Sequence, residues 1–502
     1  MRAVHIAGVG MTNFGKNPRA LPEIFCQAAE LALAESANQA VEALYIGAMN
    51  PEEFTGDSNI ASQIADALGI TGIPAMRVET ASSAGSAAIF AGFQAIASGY
   101  YRRVLVLAGE KMTHLSTSAA TRILAEVIDT RERQCGATMP ALAAMITEKY
   151  RKKFRLSESR LENMLCSVAL KNHLNGSRNP LAQFQKAITR ETYLASKFVA
   201  TPLRLYDCSP ITDGAAAVIL TSDKTDVRLA GVGQATGPLS LQGREIFTSF
   251  PATKLAAERA YSMAQISPRD IDFAEVHDAF TPFEIISTED LGFFPPGKGG
   301  DAVLNGQTAV DAALPINPSG GLKARGHPVG ASGLAQIVEA TKTLRGQTAM
   351  KLVPKRGLTQ STGGLGTNNF VTILERSDAP TVQNPWSPTP TAPAAPHRHS
   401  RSARIAAEGV IETFTILYVT PDGFLPPLAL ALIRDRHGAL LMAQGEDDTQ
   451  LKIGQEVYLR RMGGVYFFTV KSQLQKVQQA FRKLFRRTAP ASSKGNIRGE
   501  RK

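Results

Sequence analysis

Two histidines and a serine stand in settings suited to moving protons and holding developing negative charge. Ser82 lies in Val78-Glu79-Thr80-Ala81-Ser82-Ser83-Ala84-Gly85-Ser86-Ala87, after a predicted strand and at the opening of a predicted helix of small residues. A side chain there meets unpaired backbone N–H groups and the positive end of the helix dipole, a place that stabilises an anionic nucleophile or an oxyanion. Serine is also favoured as a plain N-cap, and for this stretch alone the cap is the simpler account. His327 sits in Asn317-Pro318-Ser319-Gly320-Gly321-Leu322-Lys323-Ala324-Arg325-Gly326-His327-Pro328-Val329-Gly330-Ala331-Ser332-Gly333, where glycines permit close backbone approach ahead of a second small-residue helix. Histidine shuttles protons near neutral pH, and one embedded in this arrangement reads as catalytic. His277 follows the strand-like run Ile271–Val276, and a strand end delivers a side chain into a cleft in open α/β folds; the alternative is a helix start capped by Asp278. The loop Gly357–Gly366 lies between two strand candidates and can offer backbone N–H groups to an oxyanion.

The elements around these stretches alternate. Residues 3–9 read as a strand, 21–36 as a helix, 42–48 as a strand, 58–69 as a helix, 75–80 as a strand, 82–98 as a helix and 104–108 as a strand, which predicts a layered α/β fold with buried strands. Ile6-Ala7-Gly8-Val9-Gly10 is echoed by Leu229-Ala230-Gly231-Val232-Gly233, each read as a strand ending at a glycine turn, and the echo suggests duplication. The halves fall at 1–225 and 226–376. An insertion at about 110–205, richer in charge and helix formers, is long enough to be a functional cover for the substrate. The proline repeats of 377–402 make an extended spacer. Beyond it, 403–475 alternates as short strands separated by turn signals such as Pro421-Asp422-Gly423, predicting a small barrel or sandwich.

Bulk properties narrow the function. The formal charge of +11 is concentrated in the tail, 476–502, where Arg482, Lys483, Arg486, Arg487, Lys494, Arg498, Arg501 and Lys502 face Glu500 alone. Such a tail can bind nucleic acid, anionic lipid or CoA phosphates, but the preferred reading is a solvated end, with no nucleic-acid partner. Four scattered cysteines suggest neither a disulfide framework nor a zinc site, and no metal is expected. No secretory signal pattern and no apolar run approaching the ~18 residues of a membrane span is found, so a cytoplasmic location is expected.

Together the motifs make residues 1–376 resemble the thiolases, in particular the sterol-carrier-protein-type branch. Gly8-Val9-Gly10-Met11-Thr12-Asn13-Phe14-Gly15-Lys16, Lys171-Asn172-His173, Pro202–Pro210, Asp213-Gly214-Ala215-Ala216-Ala217, His277-Asp278-Ala279-Phe280 and Gly326-His327-Pro328 carry the resemblance in order. It implies an α/β duplicated thiolase fold with two five-stranded mixed sheets and a loop domain, and a homodimer or higher homo-oligomer. It also implies a coenzyme A thioester as substrate, with no covalently bound cofactor. By the same resemblance, His327 and a water on His277 polarise one thioester carbonyl, while the N–H groups of Ser82 and Gly363 hold the other. Residues 403–475 resemble the acyl-CoA-associated OB-fold domain often encoded beside such thiolases, without its four-cysteine zinc ribbon.

Two departures bear on the chemistry. Ser82 stands where the family has its acylated cysteine, and Ser361 where many members have a second, proton-shuttling cysteine. A thiol of pKa near 8.5 can be made a thiolate by a helix end and a histidine; an alcohol cannot, so Ser82 needs a general base, and His327 is the candidate. The leading expectation is an acyl-CoA acyltransferase working through a Ser82 ester. The alternatives are an aldolase-type lyase that stabilises a thioester enolate without a covalent step, and an acyl-CoA-binding protein without turnover.

Overall fold

The computed structural model describes residues 1–348, 354–377, 407–445 and 451–471. The first half contributes β1 (His5–Met11), β2 (Ala43–Gly47), β3 (Ala75–Val78) and β4 (Arg103–Glu110). The insertion that follows is mainly helical and holds the short strands β5 (Phe198–Ala200) and β6 (Leu203–Arg204), after which the chain returns to the core as β7 (Gly214–Thr221). The second half supplies β8 (Val227–Thr236), β9 (Phe273–Glu275), β10 (Arg356–Gly363) and β11 (Asn368–Arg376).

These core strands form one nine-stranded sheet in the order β3-β2-β4-β7-β1-β8-β11-β10-β9. Outward from the centre, the first half runs β1-β7-β4-β2-β3 with two antiparallel then two parallel pairings. The second half repeats this as β8-β11-β10-β9, antiparallel, antiparallel, parallel, and a parallel bridge from Ala274 to Ile316 takes the fifth place. The duplication expected from the sequence is therefore visible in the pairing. The two sheets are joined edge to edge rather than separate, through the His5–Arg228 pair and Leu229 N–H donating to Val4 O at 2.9 Å.

The repeated Gly-x-Gly has a different cause from the turn expected of it. Gly8 and Gly10 lie within β1, where a Cβ would collide with the carbonyls of Ala32 and Ala28 in the helix Leu21–Glu35. Gly231 and Gly233 lie within β8 and meet Ala260 and Ala256 of the helix Pro251–Ala264 in the same way. In both halves the glycines let a helix press onto the strand, which no larger residue allows.

Two helices cross at the centre. Ala84–Ala97 is made almost wholly of small and apolar residues, and Ser332–Leu344 is buried almost all round, its Gln336, Glu339, Thr341 and Thr343 included, as expected for helices sandwiched in a core. They touch through their N-terminal turns: a Cβ on Gly85 would lie 2.8 Å from Leu334 N, and one on Gly333 2.9 Å from Ser86 N. Both positive helix ends thus converge on one region.

The last part of the chain forms a closed five-stranded barrel of β12 (Glu408–Leu417), β13 (Leu428–Asp435), β14 (Leu440–Gly445), β15 (Glu456–Met462) and β16 (Val465–Val470), connected β12-β13-β14-β16-β15-β12. β13 is apolar from Leu428 to Ile433 because both its faces are covered there. Ala429, Ala431 and Ile433 fill the barrel, while Leu430 and Leu432 join the core of the insertion. The barrel docks on the insertion of its own chain: Thr413 Oγ1 donates to Met145 O (2.9 Å), Lys149 pairs with Glu412 (2.7 Å), and Gln444 Nε2 donates to Cys135 O (3.1 Å). β12 also pairs with β5 at Leu417–Ala200. The proline-rich spacer 378–402 and the basic tail lie outside the described residues.

Candidate active site

Ser82 is delivered by a tight turn between β3 and the helix Ala84–Ala97. Ala81 takes φ +56°, the left-handed region, at a cost of about 1–2 kcal/mol for a residue with a Cβ. Ser83, not Ser82, occupies the N-cap, and its hydroxyl turns back to Thr80 O at 2.7 Å. Ser82 is therefore free of the capping role, and its Oγ–H reaches across to the second half to donate to Thr362 O at 2.9 Å.

His277 follows β9 and is fixed on both sides. Its backbone N–H donates to Gln360 Oε1 (2.9 Å), and its Nδ1 accepts from Thr362 N–H (3.3 Å). Nδ1 is thus the acceptor, which leaves the ring proton on Nε2. Asp278 does not cap the helix that follows. Its carboxylate accepts from Leu322 N–H (2.6 Å), Lys323 N–H (3.3 Å) and Asn172 Nδ2 (2.7 Å), drawing the glycine loop toward the end of β9. Asn172 Nδ2 also donates to Glu284, which is paired with Lys171 at 3.1 Å and accepts from Asn317 Nδ2 at 2.8 Å. Lys171 and Asn172 thus form a structural clamp behind the site.

His327 is held at three points. Its backbone N–H donates to Thr212 Oγ1 (2.9 Å), and its Nδ1 lies 2.7 Å from Ser332 Oγ, which is also 3.1 Å from Pro328 O. A hydroxyl has one proton; given to Pro328 O, it leaves Ser332 Oγ to accept from His327 Nδ1–H, and Nε2 carries the lone pair of a base. The rings of His277 and His327 lie 5.3 Å apart, nearly perpendicular. Burial, with the Arg325 guanidinium next, pushes His327 down to about 3; burial, His327 and Arg325 hold His277 well below its usual range. Both imidazoles are neutral at pH 7. Arg325 is itself fully buried, 3.7 Å from Glu275, with Nε and Nη2 lacking a protein partner.

Ser82, His277 and His327 share the wall of one cavity of about 430 Å³. The rest of its lining is mostly apolar, including Met139, Pro140, Val199, Leu205, Phe280, Phe283, Val329 and Val419, with Cys208 and Gly364. The Cys208 thiol is pushed up to about 12 by burial and by Asp207, so it is not a thiolate at neutral pH.

Both halves of the chain match known families. The thiolase N-terminal domain family matches residues 4–224, and the thiolase C-terminal domain-like family residues 233–376. An acetyl-CoA acetyltransferase of Methanothermobacter thermautotrophicus is 40% identical over 391 residues, covering 75% of this chain and 100% of the relative. The chain belongs to the thiolase superfamily. Sterol carrier protein 2 of Oryctolagus cuniculus is 33% identical, covering 74% of this chain and 72% of its own length. Among solved structures, a monomeric SCP2-thiolase-like protein type 1 from Mycobacterium smegmatis matches with a TM-score of 0.71 at 17% identity, over 93% of this chain and 99% of that one, a likeness of fold.

Of the thiolase-type residues expected from the sequence, Ser82, His277 and His327 are brought together. Ser361 is not among the residues lining the cavity. Gln360 and Thr362 face His277, so strand alternation turns Ser361 to the other side, where its buried Oγ packs beside Gly333 with no hydrogen-bond partner. Gly363 packs against Thr80 and Ser83, and Gly364, at φ +60°, is the glycine that reaches the cavity. Among the described residues no three His, Cys, Asp or Glu side chains gather as a metal site, and no helix is long and apolar enough to cross a membrane. Sequence reasoning missed Thr362, Ser332 and Thr212. Ser332 carried a signal, a hydroxyl five residues after His327 at a helix start; Thr362 acts through its peptide groups, which leave none.

Proposed function

We propose that this thiolase-superfamily chain is an enzyme of C–C bond chemistry next to a CoA thioester, with Ser82 as acyl acceptor and His327 as its base. The observation that carries this is the meeting of an uncapped Ser82 hydroxyl with two neutral histidines on the wall of an otherwise apolar cavity. Ser82 Oγ adds to the substrate carbonyl as its proton passes to His327 Nε2. Collapse of the tetrahedral adduct expels the leaving group, which takes that proton, and leaves an ester on Ser82. His277 Nε2–H and backbone N–H groups near Ser82 and Gly364 supply donors for the oxyanion. The strand order of the C-terminal barrel supports reading it as an OB-fold of the acyl-CoA-associated kind.

One observation favours a second reading, enolate chemistry without an acyl-enzyme. The single proton of Ser82 is given to Thr362 O, so Ser82 must turn toward a base before it can attack. In that reading the same donors stabilise a thioester enolate, and Ser82 only orders the Thr362 peptide.

Intact-mass measurement after incubation with acyl-CoAs separates the two. An acyl-sized gain that vanishes in Ser82→Ala, with CoA released, is the expected result. Ser82→Cys should acylate at least ~10-fold faster, because a few per cent of a thiol is already thiolate at pH 7. No adduct in either form, with cleavage activity retained in Ser82→Ala, would establish the enolate reading.

A further inference from the structure

The cavity has a gradient along its wall. His277 and Phe283 are 3% and 2% exposed, whereas Val419 and Leu205 are 41% and 56% exposed. The deep end carries the reacting groups, and the outer end carries large apolar side chains with water beside them. Val419 belongs to the barrel, more than three hundred residues along the chain from Ser82.

Its position is set by backbone pairing. Leu417 pairs with Ala200, Tyr418 N–H donates to Val199 O at 3.0 Å, Thr201 N–H donates to Ile416 O at 3.1 Å, and Thr415 Oγ1 donates to Thr201 O at 3.0 Å. This ladder carries the end of β12 onto the insertion and leaves Val419 beside Val199 on the cavity rim.

We propose that the barrel is a specificity element, with Val419, Val199 and Leu205 forming the outer seat for the apolar acyl part of a CoA thioester. This rests on the reading of the cavity as an acyl-CoA site. An acetyl group fills only a small part of a cavity of about 430 Å³, so an outer seat discriminates among acyl groups by length. A long or ring-bearing acyl group covers the exposed valine and leucine side chains, and each methylene buried there strengthens binding up to about fourfold. A carboxylate in the same place must be desolvated by the chain it meets and opposes that burial.

The test is calorimetric titration of the full chain with acetyl-CoA, hexanoyl-CoA and decanoyl-CoA, for the wild type, Val419→Asp and Val410→Asp. Val410 is a half-exposed valine on β12, the strand that leads to Val419, but outside the cavity, at 39% exposure, and controls for damage to the barrel. Affinity should rise with chain length in the wild type and in Val410→Asp. Val419→Asp should weaken decanoyl-CoA at least ~10-fold and acetyl-CoA by less than ~2-fold. Binding that is flat with length, or equal losses for all three thioesters, overturns the specificity role while leaving the acyl-CoA reading intact. Failure of every thioester to bind the wild type overturns both. A change of oligomeric mass in Val419→Asp with length preference unaltered assigns the rim to a second copy of the chain and also overturns the proposal.

Discussion

Ser82 and His327 stand at matching places in the two halves, just ahead of the crossing helices Ala84–Ala97 and Ser332–Leu344, but they are held in different ways. The serine side is fixed by backbone conformation: a left-handed Ala81, a Ser83 hydroxyl turned back to Thr80 O, and a Ser82 hydroxyl resting on a carbonyl. The histidine side is fixed by buried polar groups, with Thr212, Ser332, Asp278, Asn172 and the Glu275–Arg325 pair all contributing. A turn defined by its backbone tolerates exchange of one small side chain for another. A network of buried donors and acceptors does not, because each lost partner leaves an unsatisfied group. The exchange proposed at Ser82 therefore falls on the side that tolerates it.

The sharpest way to break the comparison is on the histidine side. Asp278→Ala removes the acceptor shared by Leu322 N–H, Lys323 N–H and Asn172 Nδ2, all buried. Loss of about 3–5 kcal/mol is expected, read from the urea midpoint, together with loss of any adduct on Ser82. A change below ~1 kcal/mol would mean that the loop is held mainly by its glycines.

Glu110 links the halves and sharpens the contrast. It ends β4, accepts from Met49 N–H (2.8 Å) and from Gly330 N–H (3.2 Å) in the histidine loop, and its Oε1 has no partner. Burial raises its pKa from 4.5 to about 7. The folded state therefore holds a proton that the unfolded state has lost between those values, so stability falls as pH rises across the window and levels off above it. Glu110→Gln mimics the protonated group. Its advantage over the wild type should be small at pH 4.5, grow through pH 7, and reach on the order of 2–3 kcal/mol at pH 8. Parallel melting curves for the two proteins across that range would place the acid elsewhere.

What was legible follows the same division. Ser82, His277 and His327 could be found because each stands at a junction written in small residues or glycine, where strand gives way to loop or helix. Ser361 and Gly363 were read as part of a loop and stand instead in β10, where the side a residue faces depends on register, and the partners of Gln360 and Thr362 decide it. Gly8, Gly10, Gly231 and Gly233 were recognised as a repeat and misread as turns, because helix carbonyls pressing on a strand leave the same glycines as a bend does. The barrel's strands were legible from alternation, whereas the reach of Val419 into the cavity comes from docking on β5 and has no local signal.

The smallest effect is expected where the comparison places the least polar burial. Ala81→Gly relieves the positive φ, worth about 1–2 kcal/mol, and returns roughly 0.5–1 kcal/mol through the greater freedom of the unfolded chain. The two terms oppose each other, so a net change within about 1 kcal/mol is expected in the urea midpoint. Because Ser83 still bonds back to Thr80 O and Ser82 still reaches Thr362 O, the adduct on Ser82 should form, with a rate that reports how much the stiffness of this turn matters. Destabilisation as large as that of Asp278→Ala would show that the serine side is held by contacts of the Ala81 methyl, which is buried, and the contrast between the halves would fail.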